Sequence, residues 1–248
     1  MEAKIEKILN DMTLEEKVGQ MTQITITALA NGVELTPAGD SIMRTYKVGS
    51  VLNTPGDKAQ SPQDYDKLIQ ELNRISLETT GIPCLYGLDH IHGTTYVAGG
   101  VLFPQEINIA ATFNRDHAYN MGKVTAYESR AANVPWTFSP TMDLGRNPEW
   151  PRMWESFGED TYVNAELAVA EMKGMQGEDP NNVGPFNIAA CAKHFLGYGV
   201  PVSGQDRTPS SIAASEMREK YFEPFKECLQ AGALSLMVNS ASNNGVPF

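Results

Sequence analysis

Ile188-Ala189-Ala190-Cys191-Ala192-Lys193-His194-Phe195-Leu196-Gly197-Tyr198-Gly199 joins a short apolar run to a cation, an imidazole and a glycine-rich stretch. The apolar part, Ile188 to Ala192, reads as a buried strand that stops at Lys193. An isolated ammonium is too costly to desolvate at the inner end of a packed strand. The pattern therefore predicts a strand that ends at a polar pocket, which is where α/β barrels place their binding and catalytic groups.

Working outward, strand-like and helix-like segments alternate. Met21–Ile26, Val48–Leu52, Ile82–Leu88, Val134–Phe138, Ile188–Ala192 and Ala233–Val238 read as strands. Between them, Ile5, Ile8, Leu9 and Met12 form a helical stripe, and Thr13-Leu14-Glu15-Glu16 is a capping box for a second helix. Ser61-Pro62 opens a helix to about Leu77, since serine caps and proline suits the first helical position. Further helices are predicted over Asn114–Ala132, over Tyr162–Met175 with Ala165, Val169 and Met172 inward, and over Ser211–Leu229 with a cap near Ser210 or Ser211. This rhythm predicts a parallel sheet covered by helices, with about six βα units. Three connections, 27–47, 89–113 and 139–160, read as long polar loops. An eight-stranded barrel takes about 250 residues without such loops. Residues 1–248 are thus expected to be the N-terminal part of a (β/α)8 TIM-type barrel, stopping in mid-loop at Asn243–Phe248.

Bulk composition excludes several classes. The formal charge of −11 and the absence of a long basic run argue against nucleic acid as a partner. No apolar window is long enough to span a bilayer, and the N-terminus lacks a signal-peptide core. Location is left open: periplasmic or secreted if a leader has been removed, otherwise cytoplasmic. Cys84, Cys191 and Cys228 have no metal-ligand spacing and read as core thiols. No cofactor is implied.

Two further constellations carry chemistry. Asp89 ends the run Leu85-Tyr86-Gly87-Leu88, where a carboxylate can accept two sugar hydroxyls or cap a turn. The nearby His90 and His92 resemble a metal pair but lack a third ligand, so no metal site is expected. Residues 139–160 combine Asp143, Arg146, Trp150, Arg152, Trp154, Glu155 and Glu159. Guanidinium forks beside indoles suit a pyranose, and the bland alternative is a solvated loop with internal ion pairs. Glu155 and Glu159 read as helix-entry carboxylates rather than an acid and base pair. Asp206 and Arg207 either pair with pocket groups or order the loop before the next helix.

The runs Gly145-Arg146-Asn147-Pro148-Glu149-Trp150-Pro151-Arg152, Glu155-Ser156-Phe157-Gly158-Glu159-Asp160, Lys193-His194-Phe195 and Gly87-Leu88-Asp89-His90-Ile91-His92-Gly93 resemble glycoside hydrolase family 3. Met12-Thr13-Leu14-Glu15-Glu16-Lys17-Val18-Gly19-Gln20-Met21 is similar to the family's opening. The resemblance implies a retaining, exo-acting β-glucosidase that hydrolyses terminal non-reducing β-D-glucosyl residues of a β-glucoside or β-glucan oligosaccharide. It implies that glucose in subsite −1 is held by Asp89, Arg152, Lys193 and His194, with Met237 lining the pocket. Asp143, Trp150, Glu155, Asp206 and Arg207 would support that grip. The family's nucleophile lies in a Ser-Asp-Trp-like motif and its acid/base Glu in a C-terminal α/β sandwich. Neither is found here, so no catalytic residue is assigned and the chain alone is expected to be inactive. In the family's N-acetylhexosaminidase branch a histidine follows Lys-His; Leu196 and Tyr198 stand there, which favours the glucosidase type. The alternative is a non-catalytic carbohydrate-binding or self-assembling half-barrel, whose open edges would pair with a missing half or another copy.

Overall fold

The computed structural model describes residues 2–247. They form two compact units, each of parallel strands and covering helices.

The first unit comprises Met1–Leu88, Tyr96–Ala98 and Ala132–Val134. Its strands β1 (Gln23–Thr25), β2 (Ser50–Leu52) and β3 (Leu85–Leu88) run parallel, with Gln23 opposite Ser50 and Ser50 opposite Leu85. The helices are α1 (Glu2–Asp11), α2 (Leu14–Gln20), α3 (Pro37–Tyr46) and α4 (Pro62–Thr80). Thr13 makes the capping box of α2 with Glu16 in both directions. Ser61 caps α4 by accepting from the Asp64 N–H, and Gly81, at φ 71°, ends it in the left-handed conformation that glycine adopts freely. Between these signals Tyr65, Leu68, Ile69, Leu72 and Ile75 recur every three or four residues and are buried with Ile26, Leu29, Met43, Val51, Tyr86 and Leu88. Each such side chain contributes about 1.5–3 kcal/mol by leaving water.

Two expectations fail in this unit. The stripe on α1 buries nothing: Ile5 is 57% exposed and Leu9 51%. Periodicity prepares a face, but another surface must cover it. The supposed loop 27–47 contains a short hairpin, Ala30–Asn31 with Glu34–Leu35, and helix α3. Thr36-Pro37 starts α3 just as Ser61-Pro62 starts α4, with Thr36 accepting from the Gly39 N–H.

The second unit comprises Asp89–Thr95, Gly99–Ala131 and Pro135–Phe248. It contains α5 (Glu106–Ala110), α6 (Arg115–Ala131), β4 (Trp136–Thr137), α7 (Thr161–Gln176), β5 (Cys191–Phe195), α8 (Ala214–Glu216), α9 (Phe222–Gln230) and β6 (Ser235–Val238). β5 pairs in parallel with β6, Lys193 lying opposite Met237, and the register shifts between Lys193 and Phe195. On the other side of β5, single bridges join Trp136 to Ala189 and Thr141 to Lys193. Helices α6 and α7 approach closely because of two glycines: a Cβ on Gly122 would lie 2.2 Å from the Glu171 carbonyl oxygen, and one on Gly174 2.1 Å from that of Tyr119.

The strand at Lys193 is displaced from its expected position. It spans Cys191–Phe195, so Lys193 and His194 lie inside it rather than beyond its end. Lys193 is only 1% exposed. What makes this tolerable is pairing, described below. The predicted helix over 211–229 starts instead at Ala214, without a side-chain cap, and passes through a π-helical turn, Met217–Tyr221, before α9. Ser210 does not cap it, because its backbone N–H donates to the Ser242 carbonyl and its own carbonyl accepts from Asn244. The supposed mid-loop near the C-terminus is a small hairpin, Ser242–Asn243 against Val246–Pro247. Asn244 and Gly245, at φ 51° and 79°, form its turn. The 89–113 connection also contains α5.

Candidate active site

Residues of the second unit converge around β5. Asp89 leaves the end of a strand and accepts from the Lys193 ammonium at 2.5 Å. Lys193 is fully buried while the Asp89 side chain is 36% exposed, so the pair has a dry end and a wet end. A buried ammonium needs such a partner. The turn-capping alternative for Asp89 gives way to this ion pair.

His194 is anchored from the other side. Its Nδ1 lies 2.7 Å from Asp143 Oδ2, and its backbone N–H donates to the same oxygen at 3.2 Å. Nδ1–H donation to a carboxylate leaves Nε2 as the free nitrogen of the ring. The Asp143 side chain is completely buried, so its carboxylate meets His194 out of reach of solvent.

Arg152 and Glu155 form a bidentate pair at 2.9 and 2.7 Å across the short 3₁₀ turn Met153–Glu155. Burial works against the Arg152 charge, but the Glu155 carboxylate more than restores it and holds the guanidinium above its ordinary range. Glu155 therefore neither enters α7 nor stands free as an acid; Asp160 caps that helix. The Arg152 guanidinium lies 5.7 Å from the Tyr198 ring centre, and the His194 ring 4.8 Å from it. Asp206 Oδ1 accepts from Tyr198 Oη at 2.6 Å and Trp150 Nε1 at 3.1 Å. Burial raises the Asp206 carboxyl, but these two donors and nearby Arg152 bring it below its usual range.

Lys193, Asp89, His194, Asp143, Arg152, Glu155, Trp150 and Asp206 thus form one neighbourhood, with Met237 beside Lys193 in the sheet. Arg207 does not join it: its side chain is 68% exposed and meets Asp206 only at 3.8 Å. Trp150 is 2% exposed and packs edge-on against Tyr198, so it braces the site rather than offering an open face to a sugar. Tyr198, which the sequence does not single out as a site residue, links Arg152, His194 and Asp206. A lone tyrosine in a glycine-rich stretch carries no local signal of its partners. His90 is buried against Ser129 at 2.7 Å, and burial pushes its pKa down to about 3. His92 Nδ1 faces the Phe103 carbonyl at 2.7 Å. Among the described residues no group of three His, Cys, Asp or Glu is placed to hold a metal. The three cysteines are free and buried; burial pushes Cys84 and Cys228 up to about 12.

The glycosyl hydrolase family 3 N terminal domain matches residues 13–247. A lysosomal beta glucosidase of Dictyostelium discoideum is 37% identical over 98% of this chain. An exo-1,3/1,4-beta-glucanase from a Pseudoalteromonas species superimposes with TM-score 0.90 at 32% identity over 99% of the chain. A beta-glucosidase from Listeria innocua, solved in complex with isofagomine, does so with TM-score 0.82 at 30% identity over 100%. The chain spans 32%, 31% and 33% of these three proteins respectively, about a third of each. Its parallel strands and covering helices are therefore part of a TIM-type barrel, and the chain belongs to glycosyl hydrolase family 3 through the N-terminal domain that the family's β-glucosidases share.

Proposed function

We propose that this chain builds the sugar-binding half of subsite −1 in an exo-acting, retaining β-glucosidase. The observation that carries the reading is the pairing of Lys193 with Asp89 and of His194 with Asp143 on consecutive residues of one strand. A pyranose hydroxyl both donates and accepts. Asp89 accepts, the ammonium donates, and the free His194 nitrogen and the Arg152 N–H groups that Glu155 does not engage complete a ring of complementary groups. Support also comes from the Listeria innocua enzyme, whose structures contain glucose, laminaribiose and isofagomine.

Retention requires two carboxylates roughly 5 Å apart, one of them a nucleophile. No Ser-Asp-Trp motif occurs in these 248 residues, so the chain alone should bind without hydrolysing. Calorimetric titration with glucose and with isofagomine tests the binding half. Both ligands are expected to bind, and Asp89→Ala or Arg152→Ala to weaken them by about tenfold or more, the scale of a lost hydrogen bond to a charged group. Failure of both ligands to bind, or variants that bind as well as the parent, would overturn the reading. Release of nitrophenol from an aryl β-glucoside faster than buffer would remove the claim of inactivity.

A further inference from the structure

Two buried acids interact electrostatically with Lys193 and take no part in the sugar-binding reading. Glu106 opens α5, Glu171 lies in α7, and both are 0% exposed. Their four carboxyl oxygens meet one side-chain donor: Ser139 Oγ donates to Glu171 Oε1 at 2.7 Å, while Glu106 Oε1, Glu106 Oε2 and Glu171 Oε2 have none. The groups facing the pair come from several elements. Lys193 of β5 acts on both, Glu155 adds negative charge toward Glu106, and Cys228 of α9 faces Glu171 as a neutral thiol. The only cation in that set already has Asp89 at 2.5 Å. Two ionised carboxylates here would be stripped of water, short of donors and exposed to each other's charge. A bound proton removes the charge and itself becomes a donor. Burial and the Glu171 charge hold Glu106 well above the usual carboxylate range, and burial pushes Glu171 up to about 8.

We propose that Glu106 and Glu171 are positioning residues, held protonated in the buried surroundings of Lys193 so that Asp89 is the one carboxylate claiming its ammonium. The part of this that concerns the sugar rests on the function proposed above. When Glu171 gives its proton to solvent base, Lys193 acquires a second interacting carboxylate. Its hold on Asp89 then slackens, and the sugar grip slackens with it.

The test uses the whole chain with 13C-labelled glutamate carboxyls and 15N-labelled lysine, followed by NMR from about pH 6 to about pH 9, a range that spans ionisation near 8. Two carboxyls should remain protonated at neutral pH. One should ionise near 8 with the Lys193 nitrogen signal moving in step. Glu171→Gln, neutral at every pH, should abolish that linked movement. In parallel, the glucose Kd of the parent should rise by about tenfold from neutral to one unit above the Glu171 pKa, as the ionised fraction comes to dominate, and Glu171→Gln should flatten the rise. Glutamate carboxyls all ionised at neutral pH, or a Lys193 signal indifferent to their titration, would overturn the proposal, and the parent alone decides this if the variant fails to fold. Glucose that does not bind while both NMR signatures appear overturns the proposed function and leaves the role of the pair intact.

Discussion

Around α4 the interior of the first unit is hydrocarbon, with Tyr65, Leu68, Leu72 and Ile75 packed on Val51 and Leu88. Apart from the hydroxyls of Tyr65 and Tyr86, Ser76 brings the one buried polar side chain among the described residues there, and its hydroxyl donates to the Ile82 carbonyl. Around β5 in the second unit, Glu106, Asp143, Asn164, Glu171, Lys193 and His194 are buried alongside Met142, Leu144 and Ile188. Stability alone would not select the second arrangement, because replacing buried ion pairs by well-packed apolar groups is often neutral or stabilising. The first core keeps the chain folded. In the second, part of the interior is given over to paired charges, which the proposed function assigns to holding a sugar.

That division of labour can be broken by mutation. Leu72→Ala, in the hydrocarbon core, should cost about 2–5 kcal/mol of stability by leaving a cavity, read by urea denaturation. The glucose affinity of molecules that remain folded should not move; a shifted Kd would show that the two regions are not separable in this way. Lys193→Met should do the reverse. It removes the buried charge but leaves Asp89 open to water, so stability changes little while glucose affinity falls by about a hundredfold, the upper range for hydrogen bonds to a charged group. Undiminished binding would place the ammonium outside the sugar site.

His90 sharpens the comparison through pH. Its folded pKa is depressed to about 3 from 6.5. Between those values the unfolded chain binds a proton that the folded chain refuses, so stability falls as pH drops through this window, by up to about 1.4 kcal/mol per unit. His90→Gln should therefore lose stability less steeply than the parent between neutral and mildly acid pH in chemical denaturation. Equal slopes would mean that His90 binds its proton in the fold as it does in the unfolded chain. The smallest effect is expected at the surface of the first unit, where Thr13→Ala removes one side of an exposed capping box. It should cost about 1 kcal/mol, lowering Tm by about 2–4 °C. A larger drop in calorimetry would show that α2 bears on more than its own end.

Much of the helical framework was legible. Thr13 with Glu16, Ser61 with Pro62 and the stripe from Tyr65 to Ile75 announce helices from contacts three or four residues apart. Thr36-Pro37 and Asn244-Gly245 carry equally local signals, for a helix start and a hairpin turn. From the residues alone the site was legible only as a set of types, and the grouping of Asp89, Arg152, Lys193 and His194 came from the family resemblance. Trp150 looked like a sugar platform and is instead sealed against Tyr198, while Arg207 looked like a pocket group and faces water. Which face of a loop turns inward depends on what packs over it, and composition does not encode that.

By itself the sequence determined the alternation of strands and helices, the capped ends of α2 and α4, and the motifs that place the chain in its family. Only the tertiary structure decided that Lys193 meets Asp89, 104 positions away, that His194 meets Asp143, 51 positions away, and that Glu106 and Glu171 are both buried and interact with Lys193. Caps and periodicity act within a turn or two of the chain. Charge pairing acts through space, and its strength is set by how much water the packed fold excludes.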